Sequence, residues 1–153
     1  MGAFEIREDF YLNDQPFKIL SGAIHYFRID REDWYHSLYN LKALGFNTVE
    51  TYVPWNAHEP QRGHFHFEGN LDLEHFIQVA QELDVILRPS PFICSEWEFG
   101  GLPAWLIEED LRIRSSDPAF LKEVARYYDE LLPRVAKYQL DRGGNICLLY
   151  TSP

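Results

Sequence analysis

Short apolar runs of strand length alternate with segments of helical period along most of this chain, and that alternation leaves few folds open. Thr48-Val-Glu-Thr-Tyr52 and Val85-Ile-Leu-Arg88 are strand-like runs stopped by Pro54 and by Pro89-Ser-Pro91. Ala23-Ile-His-Tyr-Phe27 and a run beginning at Ile146 read the same way. Between them lie three helical patterns. In the first, Asp30 is the predicted N-cap, Trp34, Leu38 and Leu41 share a face, and Gly45 stands at the exit. The second covers about 71–83, with Leu73, Phe76, Ile77, Ala80 and Leu83 at helical spacing. The third opens on Asp117-Pro118, an N-cap followed by proline at the first helical position. Its predicted buried face is Phe120, Leu121, Val124, Tyr128, Leu131 and Val135, with a kink at Pro133.

Residues 4–20 alternate apolar and polar around the turn pair Asn13-Asp14, so a β-hairpin precedes this array. The order hairpin, then β-α-β-α-β-α-β, implies a parallel sheet with right-handed crossovers. Doubly wound sheets and (β/α)8 barrels both begin this way. Two observations favour the barrel. Arg28-Ile-Asp30 follows the first strand where a Gly-rich phosphate turn would stand. The chemically interesting residues also fall just after strand C-termini, where barrels keep their sites. A whole barrel takes roughly 250 residues. The expected fold class is therefore α/β, the N-terminal half of a (β/α)8 TIM barrel preceded by a β-hairpin.

Composition excludes more than it identifies. With 46% hydrophobic and 16% aromatic residues a disordered chain is excluded. The formal charge of −10 argues against nucleic-acid and membrane partners, which call for basic patches. No signal-peptide pattern opens the sequence, and Cys94 and Cys147 lie too far apart to suggest a disulfide framework. The expected location is cytoplasmic.

Two loop blocks carry the chemistry. Thr51-Tyr-Val-Pro-Trp-Asn-Ala-His-Glu-Pro60 and Ile93-Cys-Ser-Glu-Trp-Glu-Phe-Gly-Gly-Leu-Pro-Ala-Trp105 combine rings, carboxylates and rigid punctuation. Rings stack on the apolar face of a sugar while carboxylates accept bonds from its hydroxyls. Tyr52 ends a strand, so its hydroxyl either faces a barrel mouth or packs at the sheet edge. Trp55 and His58-Glu-Pro60 fit loop-anchoring packing. Glu96 and Glu98 flank Trp97. One of them is expected to meet a ligand hydroxyl, because residues two apart on an irregular loop rarely converge as a glycosidase pair does. His64 and His66 lack neighbours at ligand spacing, so no metal is expected. His25 fits a core histidine.

These blocks, with Ser21-Gly-Ala-Ile-His-Tyr-Phe-Arg28, Arg114-Ser-Ser-Asp117 and Gly143-Gly144-Asn145, resemble the β-galactosidases of glycoside hydrolase family 35 from about residue 8 to Ile146. The resemblance implies a barrel followed by β-rich domains, no cofactor, and retaining hydrolysis of terminal non-reducing β-D-galactosyl residues. Its partner would be a galactoside substrate, an oligosaccharide or glycoconjugate, with homo-oligomers possible for the full-length protein. By position Tyr52, Cys94, Ser95 and Glu96 resemble the family's galactose-binding residues, while Trp97 and Glu98 belong to the scaffold.

Two departures accompany the resemblance. The stretch 81–88 is about two residues shorter than the family's junction. A strand slipped by one residue there would turn its side chains inside out. The family's acid/base glutamate, in a Gln-Val-Glu-Asn-Glu-type run, would fall at about position 154, and its nucleophilic glutamate much further on. Neither catalytic residue is expected within this chain, so it is expected to be inactive. Cys147-Leu-Leu-Tyr-Thr-Ser-Pro153 reads as one frame of a sequencing adaptor. The expected division is thus 1–146, a truncated part of the catalytic barrel, and 147–153, a non-native tail. The alternative is a non-catalytic fragment that binds sugar or assembles.

Overall fold

The computed structural model describes residues 2–151, so the final two residues of the expected tail lie outside the described residues. Its entry is antiparallel. β1 (Phe4–Ile6), β2 (Phe10–Leu12) and β3 (Gln15–Pro16) form a three-stranded sheet. The expected hairpin is β2–β3, with Asn13 and Asp14 both left-handed (φ 52° and 61°) as a tight turn requires. β1 adds to its other side.

A four-stranded parallel sheet follows, in the order β4 (Ser21–Ala23), β5 (Thr48–Tyr52), β6 (Asp84–Arg88) and β7 (Ile146–Leu149). β5 and β6 pair in step from Thr48↔Asp84 to Tyr52↔Arg88. On its other side β6 shifts register against β7 between Val85 and Ile86. Ahead of β6, α3 (Leu73–Val79) ends early, with Leu83 N–H bonding the Ala80 carbonyl. The Asn145 amide donates to the Ile77, Ala80 and Leu83 carbonyls at 3.1, 3.0 and 3.3 Å. This satisfies carbonyls that a helix end leaves open, and it explains why the helix is shorter than the pattern 71–83 predicts.

The first strand is also shorter than expected. After Ala23 the Ile24 N–H still bonds the Glu50 carbonyl, at 3.0 Å. The chain then turns into a 3-10 segment, Tyr26–Arg28. That turn drives Tyr26 into the core, where it is fully buried. Its carbonyl accepts from Trp34 Nε1 at 3.1 Å. α1 (Trp34–Ala43) begins after a further 3-10 turn, and Asp30, the predicted cap, instead accepts from Asn70 at 3.0 Å.

α4 (Pro118–Ala136) is the long outer helix and runs on past Pro133. Asp117 caps it, accepting from Ala119 N–H at 2.9 Å, and its carboxyl sits below the usual range because it accepts backbone N–H bonds from Arg112 and Ala119. Phe120, Val124, Tyr127, Leu131 and Val135 are buried. Leu121, expected on that face, is 49% exposed, and Tyr127 fills the inward position. The core lies between the helices and the outer face of the sheet, with Val49, Val85 and Leu87 against Trp34, Phe76 and Ile77. Among the described residues no helix is long and apolar enough to cross a membrane.

Candidate functional site

Side chains alternate along β5 and β6, so the residues facing away from the helices are Glu50, Tyr52, Ile86 and Arg88. Glu50 and Arg88 form an ion pair at 3.1 Å, with side chains 23% and 14% exposed. Arg88 Nη1 also donates to the Tyr52 hydroxyl. The guanidinium carbon lies 4.2 Å from the Tyr52 ring centre and 4.8 Å from that of Tyr150. Tyr52, which sequence left between mouth and edge, is thus placed at the C-terminal end of β5, 7% exposed, on the face opposite the helices.

His25 stands beside it, ring centres 5.3 Å apart. Burial holds its pKa below the ordinary histidine value, and the charges of Arg28 and Arg88 add to that while Glu50 opposes it. Its Nδ1 has no hydrogen-bond partner among the described residues.

The loop after β6 brings the other candidates. Cys94 and Glu96 are exposed, and Ser95 is buried with its hydroxyl unpartnered among the described residues. Glu96 sits in the left-handed region (φ 49°), an uncommon place for a residue with a Cβ. What holds it there is Arg28, which donates to the Ser95 carbonyl and, at 3.1 Å, to the Glu96 carbonyl. Trp97 is scaffold, as expected. Its Nε1 donates to Asn56 Oδ1 at 2.9 Å and its ring meets Phe27 edge-on at 4.7 Å. Glu98 is exposed, and its carbonyl accepts from Asn56.

Behind the mouth, α2 (Trp55–His58) and Glu59 anchor the loop after β5, as their sequence setting suggested. Trp55 stacks on Tyr127 at 4.9 Å. Trp55 Nε1 and Gly63 N–H donate to the fully buried Glu59 carboxylate, each at 2.6 Å, and Arg126 pairs with it at 2.5 Å. Trp105 Nε1 donates to the Glu59 carbonyl at 3.0 Å, tying the two long loops together. His58 Nε2 lies 2.5 Å from the Tyr26 hydroxyl and Nδ1 2.7 Å from the His66 carbonyl. Burial drops its pKa to about 4. His64 and His66 do not form a metal edge, and among the described residues no group of His, Cys, Asp and Glu is arranged to hold a metal ion.

Sequence reasoning missed Arg28, Glu50, Asn56 and Arg88. A signal existed for Glu50 and Arg88. Glu50 is the one charged residue of β5, and Arg88 closes the uncharged run Val85–Leu87.

The family model described as "Glycosyl hydrolases family 35" matches residues 9–151. Human "Beta-galactosidase-1-like protein 2" is 51% identical over 141 residues, covering 90% of this chain and 22% of that protein. Mouse "Beta-galactosidase" is 50% identical over 143 residues, with 92% of this chain and 22% of that protein covered. The chain therefore spans 22% of the length of these curated relatives. Among solved structures, an exo-β-1,4-mannosidase from an Opitutaceae bacterium superposes with TM-score 0.72 at 17% identity, over 90% of this chain and 25% of that one. A β-galactosidase from the psychrophilic Marinomonas ef1 gives TM-score 0.67 at 17% identity, over 88% and 21%. At those identities the likeness is one of fold.

Proposed function

The chain belongs to glycosyl hydrolase family 35 and folds as the N-terminal half of a (β/α)8 barrel preceded by an antiparallel hairpin; on that premise we propose that it supplies the galactose-holding part of a retaining β-galactosidase. The full-length protein would hydrolyse terminal non-reducing β-D-galactosyl residues. In that mechanism one glutamate attacks the anomeric carbon while another protonates the leaving oxygen, and water then releases the sugar. Residues 1–153 contain no Gln-Val-Glu-Asn-Glu run to supply the proton donor. Tyr52, Glu96 and the backbone of Cys94 and Ser95 hold and orient the sugar, which contributes positioning and leaves bond-breaking to other residues. The same reading assigns 1–146 to the catalytic barrel and 147–153 to a non-native tail.

One observation supports this reading: Tyr52 ends β5 paired with Arg88 at the end of β6, and Arg28 donates to the Ser95 and Glu96 carbonyls on the loop that follows β6, so these residues follow the C-termini of adjacent parallel strands, where barrel enzymes bind substrate. Isothermal titration with galactose tests it. The 153-residue chain should bind in the millimolar range or tighter, and Glu96→Ala should weaken binding about tenfold, the cost of one hydrogen bond to a charged group. Equal affinity of wild type and Glu96→Ala would remove Glu96 from the site. The same chain should not hydrolyse an aryl β-galactoside above background. Turnover abolished by Glu96→Ala would overturn the division of labour proposed here.

A further inference from the structure

We propose that Arg88, held by Glu50, is a positioning residue that makes the Tyr52 hydroxyl a hydrogen-bond donor to the ligand. The inference rests on the sugar-site reading above and adds a residue to it. A guanidinium carries only N–H donors. Where Arg88 Nη1 meets the Tyr52 oxygen, the nitrogen donates and the phenol oxygen accepts. One lone pair of Tyr52 is thereby used, and its single O–H is turned away from Arg88. The O–H is thereby the group Tyr52 offers to the ligand, and it meets an acceptor, a sugar oxygen presenting a lone pair.

Arg88 is itself fixed. Its Nη1 is 3.1 Å from Glu50 Oε1, and its guanidinium lies 4.2 Å from the centre of the Tyr52 ring. The in-step pairing of Tyr52 with Arg88 and of Glu50 with Ile86 sets all three side chains on one face. With Glu50 and Arg88 mostly shielded from water, their charges act on the phenol that Arg88 contacts. Burial holds Tyr52 above the ordinary tyrosine pKa, Arg88 pulls it back down and Glu50, Cys94 and Tyr150 push it up.

The test reads Tyr52 without any sugar. Tyrosine labelled with carbon-13 at the ring carbon bearing oxygen is followed by NMR against pH, with Tyr52→Phe identifying the signal. Arg88→Met should move the Tyr52 midpoint upward by about one pH unit or more, as loss of an adjacent opposite charge does. Glu50→Gln, which keeps the guanidinium and tests the same contact should Arg88→Met fail to fold, should move it downward. A midpoint unchanged in Glu50→Gln and in any folded Arg88→Met would overturn the proposal. The second reading is galactose affinity. Arg88→Lys, charged but without the planar fork, should weaken binding several-fold in the wild-type background and not at all in Tyr52→Phe. Equal losses in both backgrounds would reduce Arg88 to a structural role. Absence of galactose binding by the wild type would overturn the sugar-site reading instead, and the titration would still decide whether Arg88 governs Tyr52.

Discussion

The two faces of the parallel sheet are built from the same strands and obey opposite rules. On the outer face Val49, Thr51, Val85 and Leu87 are fully buried under α1, α3 and α4, and the carboxylate and imidazole groups that enter have partners, while the buried Tyr127 hydroxyl has none among the described residues. Glu59 behind that face has Trp55, Gly63 and Arg126 on its carboxylate, and His58 has both ring nitrogens engaged. On the inner face Glu50, Tyr52 and Arg88 form a partly open polar cluster, with His25 and Ser95 nearby holding polar atoms unpartnered among the described residues. A face whose polar atoms are mostly satisfied is spent mainly on stability. One that leaves donors and acceptors over is prepared to meet something else.

The largest expected effect falls on the outer side. Trp55 is fully buried, stacks on Tyr127 and meets Trp105 edge-on at 5.8 Å. Trp55→Ala removes that volume and leaves Glu59 without one donor, so it should cost about 3–5 kcal/mol. Urea unfolding followed by circular dichroism measures it. A loss under about 1 kcal/mol would mean that the two loops are not anchored through this residue.

Next comes pH, again through the outer side. His58 is held neutral with a pKa of about 4, against an ordinary value of 6.5. Between those values the unfolded chain takes a proton that the folded chain refuses, so stability falls as pH drops from about 6.5 towards 4. The full difference amounts to about 3 kcal/mol. Urea midpoints at pH 7.5, 6, 5 and 4 trace it. In His58→Gln this part of the profile should flatten, and the slope left in the window comes from the other shifted groups, His25 at its upper end and Glu123 and Asp84 at its lower end.

This asymmetry also explains what the sequence made legible. Thr48–Tyr52 reads as a strand because an apolar run ends at Pro54, and Asp117-Pro118 reads as a helix start because a cap precedes proline. Both signals are local. The family blocks likewise drew attention to Tyr52 at the end of β5 and to the loop after β6. The partner of Tyr52 was not legible, because Arg88 reaches it only through the register of β5 on β6. Arg28 was missed for the same reason, since its target carbonyls lie on a loop after another strand. The turn at Tyr26 escaped because Ala23–Phe27 is mostly apolar and aromatic, and periodicity cannot tell a buried strand from a buried turn.

The smallest effect on stability sharpens the contrast most. Tyr52→Phe keeps the ring beneath Arg88 and removes only the hydroxyl. Arg88 retains Glu50 at 3.1 Å, so no charge is stranded and the cost should stay within about 1 kcal/mol. Galactose affinity should nevertheless fall about tenfold, because a donor aimed at the sugar is gone. Titration of the folded variant with galactose measures this beside its urea midpoint. Trp55→Ala should give the reverse pattern: a large loss of stability, with the folded fraction at low urea binding sugar near wild-type strength. If Tyr52→Phe instead lost several kcal/mol while binding was unchanged, the inner polar cluster would be core in the same sense as the outer one, and the division between the two faces would fail.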